Sequence, residues 1–182
     1  EGKISVVFYD MTTLYFEASD EDDLRKTGFS KDGKHQHPQI FIGLLVGMGG
    51  YAIGYDIYEG NTYEGHTLIP FLEKISRKFN LDKPVVVADA GLLSKENIKA
   101  LKESGYEYIL GARLKSEPER IKKKILQTTF TDGSTISIAR SDDTRLIVNY
   151  SSARATKDEY NRRRGLMRLE KQIKAGRLTK SH

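Results

Sequence analysis

The segment "DKPVVVADAGLL", residues 82–93, decides the fold. Three valines and an alanine run straight into Asp89, and Gly91 follows. A short, continuously apolar run of this kind reads as a central parallel strand covered on both faces. In open α/β sheets, ligands gather beyond the carboxyl ends of such strands. Asp89 therefore stands where a reactive group is expected. A local reading competes with it, because Asp-x-Gly is common turn chemistry.

Working outward, "KISVVFYDMTTLYFE" (3–17) is rich in β-branched and aromatic residues and holds no Gly or Pro, so it predicts a long strand. Alternation with period two puts Ile4, Val6, Phe8, Asp10, Thr12 and Leu14 on one face. A carboxylate buried in that row without a partner would cost several kcal/mol or be neutralised. Asp10 thus calls for a cation or for good donors, the plainer alternative being a structural aspartate paired with an arginine. Residues 18–38 are polar and form a long loop, of the kind that carries function or mobility. "QIFIGLLVG" (39–47) and "YAIGYDIYEG" (51–60) read as a hairpin. The "GMGG" between them is a turn, since no Lys-Ser/Thr pair opens a helix after it.

Leu68, Phe71, Leu72, Ile75 and Phe79 recur at helical spacing, with Thr67 as the expected cap and Pro70 in the first turn. "SKENIKALKESG" predicts a second helix, capped by Ser94 and stopped by Gly105, and "YEYILGARL" (106–114) a further strand. The order is β-β-β-α-β-α-β. A long first strand, a hairpin and a parallel fourth strand bring strands one and four side by side, so Asp10 and Asp89 are expected to meet. Two neighbouring aspartates repel each other, and a divalent ion relieves the repulsion. Hard oxygen ligands suit Mg2+ or Mn2+. Two such ions, roughly 4 Å apart, can activate a water or hydroxyl and stabilise the leaving oxygen in phosphodiester cleavage. On this expectation the carboxylate is buried because its counter-charge is a metal.

After Leu114 the texture changes to a basic helix ("SEPERIKKKILQ"), two strands ("TFTDGSTISIA", "TRLIVNY") and a strongly basic helical stretch ("TKDEYNRRRGLMRLEKQIKAG"). This predicts a core over 1–113 and a second subdomain over 114–182. The chain of 182 residues carries a net charge of +5. Residues 150–182 hold ten Lys or Arg against three Asp or Glu, so the basic charge is concentrated there. A near-neutral body with a basic tail implies an anionic partner, nucleic acid first, against the plainer reading of a solvated helix face. Arg154, Lys157, Arg162, Arg163, Arg164, Arg168, Lys171 and Lys174 are the residues expected to track DNA phosphates, with Tyr150 and Tyr160 available for stacking.

Cysteine is absent, which excludes disulfides and cysteine metal sites. No run reaches the roughly 18 apolar residues of a membrane span, and no membrane partner is expected. The first residues lack a signal-peptide layout, and without an initiator methionine the sequence is expected to be a piece of a longer chain. His35 and His37 have no further His or Cys nearby to complete a zinc site. Thr12 and Thr13 could bond to phosphate or to a metal's water, or be ordinary strand threonines. Asn61, Glu64 and His66 fall where the third strand meets the helix, where capping and turn roles compete with a functional one.

The β-β-β-α-β-α-β order, with aspartates on strands one and four, resembles the ribonuclease H-like fold. "YDMTTLYFE" resembles the first catalytic block of bacterial insertion-sequence transposases of the DDE type. "GFSKDGKHQHPQIFIGLLVGMGGYAIGYDIYEGNTYEGHTL" resembles the segment that follows, with its "G-x-SKDG" loop and "GN…E…T" step into the helix. "VVVADAGLLSKENIKAL" resembles the second catalytic block. The likeness spans about residues 5–113, three blocks in order, and the stretch from 114 resembles the start of the insertion that one branch places before its last catalytic helix. It implies an α/β, ribonuclease H-like mixed sheet flanked by helices, with a partial α+β insertion subdomain. It also implies cut-and-paste transposition with Mg2+ or Mn2+, in which Asp10 and Asp89 are the first two catalytic and metal-binding acids. Double-stranded DNA is then the partner, as transposon ends and target, with a homodimer on paired ends and a bacterial, cytoplasmic, nucleoid-associated setting.

The family's third acidic residue is a glutamate in a tyrosine-arginine-glutamate-lysine signature on a later helix. Tyr160 and Arg163 have the right spacing, but Met167 stands at the glutamate's place, and Glu159 and Glu170 lack the pattern. The glutamate is therefore expected beyond His182, and this chain is expected to be a partial active site, inactive alone. A hydrolytic ribonuclease H-like nuclease and a non-enzymatic DNA-binding or assembly module are the rival readings.

Overall fold

The computed structural model describes residues 4–30, 32–92, 94–140 and 143–176. Lys3 of the first strand reading, Lys31 of the "SKDG" loop and Leu93 of the second block lie outside them. The chain divides into two compact units, Glu1–Arg113 and Leu114–His182.

The first unit is built on five strands. The β-branched and aromatic run near the start forms β1 (Val6–Tyr15), and the apolar hairpin forms β2 (Gln39–Gly47) and β3 (Ala52–Glu59), antiparallel to β1 and to each other in turn. A 3-10 turn (Glu64–His66) leads into α1 (Leu68–Phe79). Next come β4 (Val85–Ala88), α2 (Lys95–Glu103) and β5 (Tyr108–Leu110), and β4 runs parallel to both β1 and β5. The sheet order is β3-β2-β1-β4-β5, so the first and fourth strands are neighbours, as the sequence order requires.

The core lies on one face of this sheet. Val7, Tyr9, Leu45, Val86 and Ala88 pack against Leu68, Phe71, Leu72 and Ile75 of α1, Leu101 of α2, and Leu92. These apolar side chains fall on the inner stripe of each helix, while Phe79 at the end of α1 is largely outside. Alternation then puts Phe8, Asp10, Thr12 and Leu14 on the opposite face, and all four are exposed. This corrects the expectation of a buried Asp10. Both helices bury their apolar stripes against the Val7–Tyr9 face, so the face bearing Phe8, Leu44, Tyr55 and Ile57 stays open. The expectation for β4 changes for the same reason. Val86 and Ala88 are buried, Val85 and Val87 only half so, and Asp89 just beyond the strand is exposed.

Two helix starts differ instructively. Ser94 caps α2 as expected, its hydroxyl accepting from the Asn97 amide at 3.0 Å, and Gly105 ends that helix region at φ +70°. Thr67 does not cap α1. It already has helical backbone angles, because the 3-10 turn runs straight into the helix, and the Thr67 amide donates to the Glu64 carbonyl at 3.2 Å. Its hydroxyl is thereby released for another use.

The long loop is tied down near its middle. Lys26 bridges Gln39, and the buried Gln39 amide donates from Nε2 to the carbonyls of Gly60 (2.6 Å) and Phe29 (3.1 Å). Any β-carbon at Gly60 would stand 2.0 Å from the Gln39 carbonyl oxygen, so only glycine fits there. Ser30 Oγ accepts from the amides of Asp32 (3.2 Å) and Lys34 (2.9 Å). The "G-x-S" and "GN" blocks, thirty residues apart in sequence, thus meet through Gln39.

The second unit holds α3 (Glu119–Gln127), the hairpin β6 (Thr135–Ala139) and β7 (Arg145–Asn149), and α4 (Ser152–Lys174). Its buried apolar residues are Ile121, Ile138, Leu146 and Val148, and Arg140 pairs with Glu117. Ser151 caps α4 by accepting from the Arg154 amide at 3.3 Å, and Asp132 accepts from the Ser152 amide at 2.6 Å. No α4 residue is buried.

Replacing Gln39 by alanine removes both carbonyl contacts and leaves a small void. Urea unfolding followed by tyrosine fluorescence should show a loss of about 2–4 kcal/mol. An unchanged midpoint would show that the loop is held by something other than this amide.

Candidate active site

The register of β1 against β4 builds the site. Val6 pairs with Val85, and the pairing proceeds in step to Tyr9 with Ala88. The next residue on each side is an aspartate, Asp10 and Asp89. Neighbouring strands lie about 4.8 Å apart, so the two acids leave the backbone from adjacent positions. Each ties one carboxylate oxygen to a nearby amide: Asp10 Oδ1 accepts from Met11 at 2.8 Å, and Asp89 Oδ1 accepts from Gly91 at 2.7 Å. The turn reading of Asp-x-Gly is therefore satisfied, and it coexists with an exposed carboxylate at a strand end. The turn is braced from β5, where the Gly111 amide donates to the Ala88 carbonyl (3.0 Å) and Arg113 to the Ala90 carbonyl (3.1 Å).

A third carboxylate comes close. The point where Gly91 would carry a β-carbon lies 2.9 Å from Asp89 Oδ1 and 3.2 Å from Glu64 Oε2. Gly91 has no positive φ, so space for these oxygens is what its bare α-carbon provides. The sequence pattern singled out Glu64 with Asn61 and His66 but gave no reason to join it to Asp89. Its place directly before a helix that returns the chain to β4 was the available signal. Asn61 is exposed, and the His66 ring stands edge-on to Tyr63 at 5.1 Å. Thr12 is exposed beside Asp10, and Thr13 turns to the other face. Among the described residues, no three His, Cys, Asp or Glu side chains are gathered tightly enough to hold a metal as they stand. His35 Nδ1 accepts from the Ser30 amide at 3.3 Å, and His37 Nδ1 lies 3.3 Å from the Phe16 carbonyl oxygen.

The eight basic residues singled out in the second unit all lie on α4 and are exposed: Arg154, Lys157, Arg162, Arg163, Arg164, Arg168, Lys171 and Lys174. They are not equivalent. At 3.6 residues per turn, Lys157, Arg164, Arg168 and Lys171 share one side, while Arg162 points away from them. Arg163 is paired with Glu159 at 2.8 Å and Arg154 with Asp158 at 3.3 Å. Of the two tyrosines, Tyr150 stacks on Phe130 with ring centres 5.8 Å apart, and Tyr160 lies under Arg164 at 5.7 Å.

The chain matches the family model described as "Transposase DDE domain" over residues 1–177. It belongs to that family. No curated protein matches it. Among solved structures, a piggyBac transposase synaptic complex with hairpin DNA aligns at a TM-score of 0.53 and 14% identity, over 84% of this chain and 32% of that one. A Mos1 transposase paired-end complex with left transposon end aligns at 0.41 and 12%, over 68% of this chain and 47% of that one. The Mos1 strand transfer complex aligns at 0.40 and 13%, over 58% and 34%. The piggyBac likeness and the strand order show a ribonuclease H-like mixed α/β sheet. This chain spans about a third of the length of the piggyBac chain.

A β-carbon introduced by Gly91→Ala meets only the ends of flexible side chains, which can move aside. Its unfolding free energy should stay within about 1 kcal/mol of wild type. The side-chain carboxyl 13C resonances of Asp89 and Glu64 should nevertheless shift, and unshifted resonances would show that the two acids do not converge there.

Proposed function

We propose that this chain is the part of a DDE transposase that cuts and joins DNA phosphodiesters, with Asp10 and Asp89 as its first two catalytic acids. The observation that carries the reading is the parallel β1–β4 register, which sets two exposed aspartates at adjacent positions, Asp10 within β1 and Asp89 just past the end of β4. Members of the family use divalent metal ions. The residues present fit one: two carboxylates at adjacent positions on neighbouring backbone segments, with no basic side chain bonded to either aspartate among the described residues. Asp10 and Asp89 would hold Mg2+ or Mn2+, and the chemistry so supplied is activation of the attacking oxygen and stabilisation of the leaving one. The chain's own contribution is positioning. The Met11 and Gly91 amides orient the carboxylates, and the β5 contacts keep the Asp89 turn from drifting.

Double-stranded DNA at transposon ends and target is the substrate in this reading. The side of α4 bearing Lys157, Arg164, Arg168 and Lys171 follows its phosphates. Arg154 and Arg163 contribute less, since both are held by acids on their own helix. Met167 stands at the place of the family's third acidic residue and carries no carboxylate, and Glu159 is paired with Arg163. In this reading that residue lies beyond His182, and the 182-residue polypeptide alone is inactive in strand cleavage. Pairing of two copies on paired ends belongs to the same proposal.

Calorimetry should detect Mn2+ binding to the wild-type chain and lose it in Asp10→Asn and in Asp89→Asn. Because both side chains are exposed, the melting temperature should hardly move. Wild-type binding in both variants would remove the site. For DNA, the triple variant Arg164→Ala, Arg168→Ala, Lys171→Ala should lower the slope of log affinity against log salt by about 2 to 3, at roughly 0.9 per phosphate contact. An unchanged slope would move the DNA surface off this helix.

A further inference from the structure

Beneath the two aspartates runs a chain of buried hydrogen bonds that the fold alone does not call for. Tyr9, the residue before Asp10, is almost wholly buried, and its hydroxyl donates to Thr67 Oγ1 at 2.9 Å. Thr67, also buried, has the Glu64 carbonyl oxygen 2.8 Å from its Oγ1, with Met11 Sδ at 3.0 Å as the other acceptor for the same proton, and its amide donates to the Glu64 carbonyl as well. Glu64 in turn brings its carboxylate to the Gly91 position beside Asp89. Three groups therefore connect the strand carrying Asp10 to the turn that faces Asp89.

Polar atoms in an apolar core cost free energy unless they are bonded, and here a phenylalanine and a valine would fill the same space. The Tyr9 ring packs on Phe71 with centroids 5.3 Å apart, a contact phenylalanine would keep. The hydroxyl also constrains its surroundings, because a β-carbon on Gly43 of β2 would stand 2.5 Å from it. Thr67 does no capping work for α1. Burial, opposed in part by the bonds to Thr67 and Tyr58 and reinforced by the Asp56 and Asp10 charges, holds the Tyr9 hydroxyl above its ordinary 10.0.

We propose that Tyr9 and Thr67 are positioning residues: their buried hydrogen bonds fix the Glu64 turn against the Asp10 strand, so that Glu64 stands with Asp89 at the metal position. The inference rests on the metal-site reading above and adds Glu64, Thr67 and Tyr9 to it. Neither Tyr9 nor Thr67 touches the ion in this account. They act through Glu64.

The test is a Mn2+ titration of the full 182-residue chain, read by paramagnetic broadening of the Met11 and Gly91 amides. Thr67→Val keeps the shape and removes the hydroxyl, and it should weaken Mn2+ binding about 10-fold, the scale of outer-sphere losses at metal sites. Thr67→Ser keeps the oxygen and should bind close to wild type at a similar melting temperature. Tyr9→Phe should follow Thr67→Val, and it serves alone if the valine variant does not fold. Wild-type affinity in Thr67→Val or in Tyr9→Phe overturns the proposal, as does a folded Thr67→Ser that binds as weakly as the valine variant. A wild-type chain that shows no Mn2+ effect at Met11 and Gly91 overturns the metal-site reading and this inference together. Wild-type binding with insensitive Thr67 and Tyr9 variants overturns this inference alone.

Discussion

The parallel pairing of β1 with β4 is the constraint on which the rest depends. Parallel neighbours need a crossover, and α1 and α2 supply the connections around β4 while burying their apolar stripes on one side of the sheet. The pairing also fixes which residues on the two strands are opposite each other. A slip by one residue would exchange Val7 and Tyr9 with Phe8 and Asp10 across the sheet, placing a carboxylate in the core. The same bonds that seal the core therefore set Asp10 level with Asp89. Fold and site are specified by one set of backbone contacts.

Much of this was legible in the sequence. The uninterrupted β-branched run of β1, the valines before Asp89, and the helical spacing of Leu68, Phe71, Leu72 and Ile75 are each local signals, and their order fixed strands one and four as neighbours. What could not be read was which side of the sheet the helices cover. Val7 and Tyr9 alternate with Phe8 and Leu14, so both faces of β1 look apolar, and alternation assigns residues to faces without saying which face is inside. Asp10 and Asp89 are accordingly exposed, and a buried charge is no longer the reason to invoke a cation. That argument now rests on adjacency. Thr67 failed as a cap because a 3-10 turn ahead of α1 already holds it in helical backbone angles, a detail set by the chain's route out of β3. Glu64 and Asp89, twenty-five positions apart, meet only because α1 folds the chain back, and composition carries no trace of that.

The basic stretch teaches a different lesson. Counting charge marked eight residues as alike, whereas the helical period and local acids divide them. Lys157, Arg164, Arg168 and Lys171 form a side with one sign of charge. Arg154 and Arg163 have acidic neighbours one turn away, and such exposed pairs are worth little in stability but reduce the field those side chains present.

The clasp at Gln39 divides what looked like one long excursion into two short lobes. The earlier lobe is self-supporting, with Asp22 accepting from the amides of Leu24 and Arg25 and lowered to about 2 by those bonds and the Arg25 side chain. Closing entropy rises only slowly with the number of residues enclosed, and each lobe is closed separately. Length can therefore be added at the outer tip of either lobe, as a fluorophore-bearing peptide or an affinity handle, without transmitting strain to the strands that carry the acids.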